Sequence, residues 1–151
     1  MPETDPTEPQ AHGPIDYLLV EFPAGRVDTE TVDAVLALVD RRVVFLYDVM
    51  VLTKGTDGSV TVLDLEGLDP TELGGVAALA GARSGLLGDD DVADAGAALD
   101  PGVTGLLLVY ENAWAIPFVA AALRSGGQLV AGQRIPAQAV MDALDAADAA
   151  G

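Results

Sequence analysis

From its first apolar run onward, the chain alternates short β-rich stretches with amphipathic ones. Ile15 to Phe22 (IDYLLVEF) has a strand pattern, ended by the breaker Pro23-Ala24-Gly25. Asp28 is placed to cap a helix in which Val32, Val35, Leu36 and Val39 recur at i, i+3, i+4 and i+7, with Arg41 and Arg42 closing its negative end. Val43 to Lys54 is too long for one ordinary strand, so the strand is expected to start near Tyr47. The turn signal Thr56-Asp57-Gly58 follows, and Ser59 to Leu65 completes a predicted β-hairpin.

From Asp69 to Leu99 the character changes. Pro70 and Glu72 open a helical segment through Leu73, Val76, Leu79 and Leu86, but Gly74, Gly75, Gly81 and Gly85 interrupt it. Each glycine costs about 1 kcal/mol against alanine in a helix interior, so this segment needs something packed against it. A second short helix is expected to begin in Asp89-Asp90-Asp91, whose carboxylates suit free N–H groups and the helix dipole. Val103 to Glu111 (VTGLLLVYE) reads as a buried strand. Ile116 to Arg124 reads as a helix, with Pro117 in its first turn and Gly126-Gly127 past its end. Gln128 to Arg134 is expected as a further strand. Pro136 then opens a last helix with Ala137, Val140, Met141 and Leu144 inward and Asp142, Asp145 and Asp148 outward.

Two stretches repeat. Tyr17-Leu18-Leu19-Val20-Glu21 and Leu106-Leu107-Leu108-Val109-Tyr110-Glu111 each run Leu-Leu-Val to a glutamate, then through a turn into a helix and a strand. The expected fold is therefore α+β: ferredoxin-like duplicated β-α-β halves with an antiparallel sheet, an inserted Gly-rich helical segment and a C-terminal helix. Both faces of the two repeated strands are apolar, so a sheet built on them needs a second cover. Either the Gly-rich segment and the last helix fold across it, or a second copy of the chain does.

Charge narrows the partners. Twenty-four acidic residues against seven basic ones give a formal net charge of −17, a field that repels phosphate backbones and anionic lipid, so no nucleic-acid partner is expected. The absence of cysteine removes disulfides, thiolate metal sites and thiol nucleophiles. Met1 to Gly13, with Pro2, Pro6 and Pro9 among acids, lacks a basic start and an apolar run; it is expected to be a disordered tail rather than a signal peptide, ahead of a single domain over 14–150. The apolar Gly-rich stretch Leu73 to Gly88 contains Arg83 and is shorter than the about 20 residues a bilayer span needs. A cytoplasmic location with no transmembrane span follows as the expectation.

Candidate chemistry is sparse. The only histidine, His12, falls in the expected tail, which leaves no Ser/His/Asp arrangement on the folded body. No glycine-rich phosphate loop follows a strand, and the only lysine, Lys54, precedes a hairpin turn. Asp89 to Asp94 lacks the spaced ligands and central glycine of a calcium loop and reads as a solvated helix cap. No catalytic residue, metal site or cofactor is assigned. Glu21 and Glu111 hold equivalent places at the ends of the repeated strands and would be neighbours if those strands pair. With Tyr110, Asn112 and Trp114 they form the candidate ligand or interface set, set against the plainer possibility that both glutamates reach water. Trp114 and Phe118, one helical turn apart, are either core or an exposed aromatic anchor.

Taken together, Pro14-Ile15-Asp16-Tyr17-Leu18-Leu19-Val20-Glu21-Phe22-Pro23, the hairpin from Leu46-Tyr47-Asp48-Val49 to Asp57-Gly58, the Gly-rich middle and Glu111-Asn112-Ala113-Trp114-Ala115 resemble a bacterial family of domains of unknown function, the one numbered 6325, itself similar to the broader family numbered 1269. The resemblance implies no activity and supplies no functional residues. The leading expectation is a non-enzymatic, self-associating structural or interaction domain, a homodimer by the argument from the sheet. A small-molecule binder or cofactor-free enzyme of the dimeric ferredoxin-like type is the alternative, its ligand unknown. Peripheral membrane association through Leu73 to Leu87 is the third, opposed by the net charge and by Arg83.

Overall fold

The computed structural model describes residues 11–150. The expected tail lies outside the described residues for its first ten positions, and its last residues are held against the domain. Four strands, β1 (Ile15–Pro23), β2 (Phe45–Lys54), β3 (Val60–Val62) and β4 (Val103–Glu111), form one antiparallel sheet in the order β1-β4-β2-β3. Among the helices, α1 (Thr29–Asp40) joins β1 to β2, and α2 (Asp89–Ala98) precedes β4. The helices α3 (Ile116–Arg124) and α4 (Ala137–Ala150) follow it. No helix among the described residues is long and apolar enough to cross a membrane.

The local elements form for the reasons their residues give. Asp28 accepts a hydrogen bond from the Thr31 backbone amide at 2.9 Å and so starts α1. The hairpin between β2 and β3 turns through Gly58 at φ 87°, and Asp57 accepts from the Ser59 amide at 3.0 Å. Asp91 accepts from the Gly88 amide at 2.8 Å, so the acidic run does begin a helix. The Gly-rich segment forms a 3-10 structure over Glu72–Ala82, broken by left-handed backbone at Leu73, Gly74 and Gly75. A side chain at Gly74 would place its Cβ 2.2 Å from the Asp28 backbone carbon, so glycine is what lets this segment lie against the start of α1.

The sheet's two faces are both covered, by parts of this one chain. Val49, Val51, Leu106 and Leu108 point to one face and pack with Val32 of α1 and with Val76 and Leu79 of the 3-10 segment. Met50, Leu52, Leu107 and Val109 point to the other and pack with Leu87, Ala95 and Leu99, so α2 is its cover. The expected pairing of the Gly-rich segment with the last helix holds in its first member only. The Gly-rich segment shares the first face with α1, and the last helix lies on neither. Burying one Leu or Val is worth roughly 1.5–3 kcal/mol, so these two clusters hold the fold.

Three further expectations change. The Leu-Leu-Val stretches are not both central: β4 lies between β1 and β2, while β1 runs along an edge with Ile15, Tyr17, Leu18 and Val20 exposed. Gln128 to Arg134 joins no strand, so the second half built from β4, α3 and that stretch does not form. The sheet is completed instead by β3. Finally, β2 carries a bulge between Leu46 and Asp48, which turns both Tyr47 and Asp48 to the α2 face.

Candidate functional site

The C-terminal end of β4 gathers the polar groups. Strand alternation sends Tyr110 to the α1 face and Glu111 to the other, where Glu111 is 1% exposed. A buried carboxylate needs its lone pairs filled. The β2 bulge supplies the Tyr47 hydroxyl, which donates to Oε1, and the Gly13 amide donates to Oε2 at 2.7 Å. His12 Nδ1 stands 3.6 Å from the same oxygen. A Cβ at Gly13 would fall 2.0 Å from the Asn112 carbonyl oxygen, so only glycine brings that amide to the carboxylate. The bond to Glu111, followed by burial, raises the Tyr47 pKa, because the neutral phenol is the form that donates.

Asn112 turns the chain out of the sheet. Its side-chain amide donates to the Pro14 carbonyl and to Asp16 Oδ2, both at 2.9 Å, and its oxygen accepts from Trp114 Nε1 at 3.2 Å. Asp16 also meets Arg134, whose Nη2 lies 3.2 Å from Oδ1, while Nη1 donates to the Tyr17 carbonyl. The Asn112 bond, opposed by burial and then aided by Arg134, holds the Asp16 carboxyl below its ordinary pKa.

On the α1 face an open groove of about 350 Å³ lies beside this cluster. Leu18, Val35, Leu38, Leu46, Leu108 and Tyr110 line it, and Asn112 and Trp114 stand at its rim. Its walls are mostly hydrocarbon.

Of the candidate set, the structure brings Tyr110, Glu111, Asn112 and Trp114 to one end of β4, though on both sides of the sheet. Glu21 is elsewhere. Because β1 and β4 run antiparallel, Glu111 faces Ile15 whereas Glu21 faces Gly105. The two carboxylates are six residues apart in that register, about 20 Å along the strand. The expected neighbours are therefore at opposite ends, and Glu21 accepts instead from the Asp100 amide at 2.7 Å. Trp114 is 65% exposed and Phe118 76%, so neither is core.

Sequence reading missed Tyr47, Asp48 and the reach of His12 to the domain. Asp48 is wholly buried and accepts from the amides of Val49, Ser84 and Leu87 at 2.9, 3.1 and 2.8 Å, with Arg83 Nε 3.7 Å away. It pins the chain where it crosses from the 3-10 segment on one face to α2 on the other. An aspartate inside an otherwise apolar strand was the available signal.

Chemically, the arrangement is a satisfied buried carboxylate beside an apolar groove. Among the described residues, no three His, Cys, Asp or Glu side chains converge to hold a metal ion. What these features define is an α+β domain with a four-stranded antiparallel sheet and a polar cluster at the end of its central strand. The chain belongs to a family of unknown function (DUF6325), whose profile matches residues 11–150. No match was found among curated proteins or among solved structures.

Proposed function

We propose that this chain is a non-enzymatic, cytoplasmic, self-associating interaction domain. One observation carries the reading: after β4, an arm from α3 to α4 leaves its apolar side chains in water. Phe118, Leu129, Val130, Ile135, Met141 and Leu144 are all more than half exposed, and neither α3 nor α4 buries a residue. Scattered exposed apolar residues are ordinary, but a run of them along one arm marks a contact surface. The expected dimer thus rests on the arm and no longer on an uncovered sheet. Light scattering at micromolar concentration tests it, with a mass of two or more chains expected; a clean monomer overturns the reading.

A second reading, binding of a small apolar molecule in the groove, is favoured by Tyr110 in the groove wall. Native mass spectrometry of protein purified from its own cells reports copies and any retained ligand together. The membrane reading loses ground, since Val76, Leu79 and Leu87 of the Gly-rich stretch lie in the core and Leu86 is left exposed. A ferredoxin-like origin and kinship with the broader family numbered 1269 remain part of the proposal. The ferredoxin-like part alone has structural support, in two interleaved units, β1-α1-β2 split by β4 and β3-α2-β4 split by β2, while α1 and α2 on opposite faces of the sheet depart from it.

A further inference from the structure

The arm and the groove are both apolar, and each has charge at one end, opposite in sign. Along α4, Val140, Met141 and Leu144 form a stripe at i, i+1 and i+4, and Asp145 and Asp148 follow one turn beyond Met141 and Leu144. Asp148 was expected to point away from the stripe; its spacing from Leu144 puts it at the stripe's end. The groove on the α1 face is apolar along its walls, and Leu38, Val43 and Val44 carry it to the end of α1, where Arg41 and Arg42 stand exposed. In a chain with seven basic residues, two adjacent exposed arginines between the groove residues Leu38 and Val43 form a distinctive pair. Neither makes an ion pair among the described residues.

The backbone of Arg42 adds an independent observation. Its φ is 57°, in the left-handed region where helices ordinarily end in glycine or asparagine, and Val43 closes the turn by donating to the Leu38 carbonyl at 3.0 Å. A long cation stands where glycine would sit without strain. Such strain, when the rest of the fold imposes it, is typical of positions that face a partner or ligand.

We propose that α4 of a second copy lies in this groove, its stripe against Leu38, Leu46 and Tyr110 and its terminal carboxylates against Arg41 and Arg42. The proposal rests on the self-association inferred above and names its surfaces. Arg134 fixes the start of the helix: its bonds to Asp16 and to the Tyr17 carbonyl hold the chain two residues before Pro136. From there α4 extends about 21 Å with its stripe exposed on its own chain. A two-fold exchange covers both stripes and both grooves at once, and the α4 C-terminal dipole favours the arginines.

The chain has no cysteine, so introduced thiols report cleanly. Leu38→Cys and Leu144→Cys, carried on separate chains, mixed and oxidised, are expected to give a covalent dimer containing one of each. Both changes in one chain should give cross-linked dimers and not an internally closed monomer. Met141→Asp with Leu144→Asp should weaken association about tenfold or more, as loss of central apolar anchors does. Arg42→Gly should weaken association while making the separated chain harder to unfold, a pair of opposite effects that a merely structural arginine would not give. If light scattering shows a multimer that these changes leave intact, the placement of α4 is wrong and self-association stands. An internal disulfide within one monomeric chain overturns the exchange in favour of closure on the chain's own groove. A monomer throughout removes the self-association reading itself.

Discussion

The sheet and the C-terminal arm come from similar apolar sequence and end in opposite states. Leu106 to Val109 are buried on both faces of the sheet, whereas Leu129 and Val130 are among the most exposed apolar residues described. Local hydrophobicity does not separate them. What separates them is long-range pairing: β4 has a strand on each side and a helix layer on each face, and the arm is held by the contacts of Arg134 on β1 and the turn at Asn112. A run of apolar residues is therefore a core only where the topology returns to cover it.

Substitutions can break this contrast. The largest effect is expected at Asp48→Ala, which strands the Ser84 and Leu87 amides and leaves Arg83 without its carboxylate. Removing one partner from a buried charged network costs about 3–5 kcal/mol, to be read from urea unfolding. Leu106→Ala in the core should cost about 2–5 kcal/mol. Next comes Tyr47→Phe, which takes a donor from the buried Glu111 and should cost about 1.5–3 kcal/mol. Leu144→Ala should change the stability extrapolated to low concentration by no more than about 0.5 kcal/mol while weakening association. A loss like that of Leu106→Ala would mean that α4 packs within its own chain, and the contrast would collapse.

The smallest effects are those of pH. The Asp16 carboxyl is held below its ordinary value, so its contribution is fully present above about 4 and is lost as pH falls through the lower folded value. Loss of amide protection around Arg134 in acid, relative to the intrinsic exchange rate at each pH and ahead of any loss in the sheet, is the expected sign. All three tyrosines titrate above the ordinary value of about 10: Tyr47 chiefly through its bond to Glu111, Tyr17 and Tyr110 chiefly through burial. The raised value means that Tyr47 stabilises the fold below that pH and that this is lost as pH rises through its folded value. In Glu111→Gln, phenolate absorbance should show one tyrosine returning towards the ordinary value.

Most elements were legible in the sequence because their signals are local. The Asp28 cap, the Asp57-Gly58 turn, the acidic start of α2 and Pro117 and Pro136 near helix starts each act within a few residues. Pairing was not legible. The Leu-Leu-Val repeat expresses a preference for extended backbone and says nothing of which strand lies beside which, so it suggests two central strands where β1 is an edge. A doubly apolar strand reads alike whether α2 or another chain covers it. The partners of the buried carboxylates are distant, 36 and 39 positions from Asp48 for Ser84 and Leu87 and 98 from Glu111 for Gly13, so no window along the chain contains them. The Tyr47 bulge has one local mark, Asp48 beside it, and an aspartate in an apolar strand does not say which way the strand bends.

The position of β4 also governs the order in which the molecule can come into being. As the chain leaves the ribosome, β1 emerges first and its neighbour last, with Ile15 waiting for Glu111. Until then the hairpin of β2 and β3 is the one pairing of the sheet that can form. Closing such long loops before any reward slows folding and leaves edges open to other chains. A nascent chain halted before Val103 would thus carry β1 with its apolar side chains and no strand to receive it, a species for chaperones and proteases to recognise.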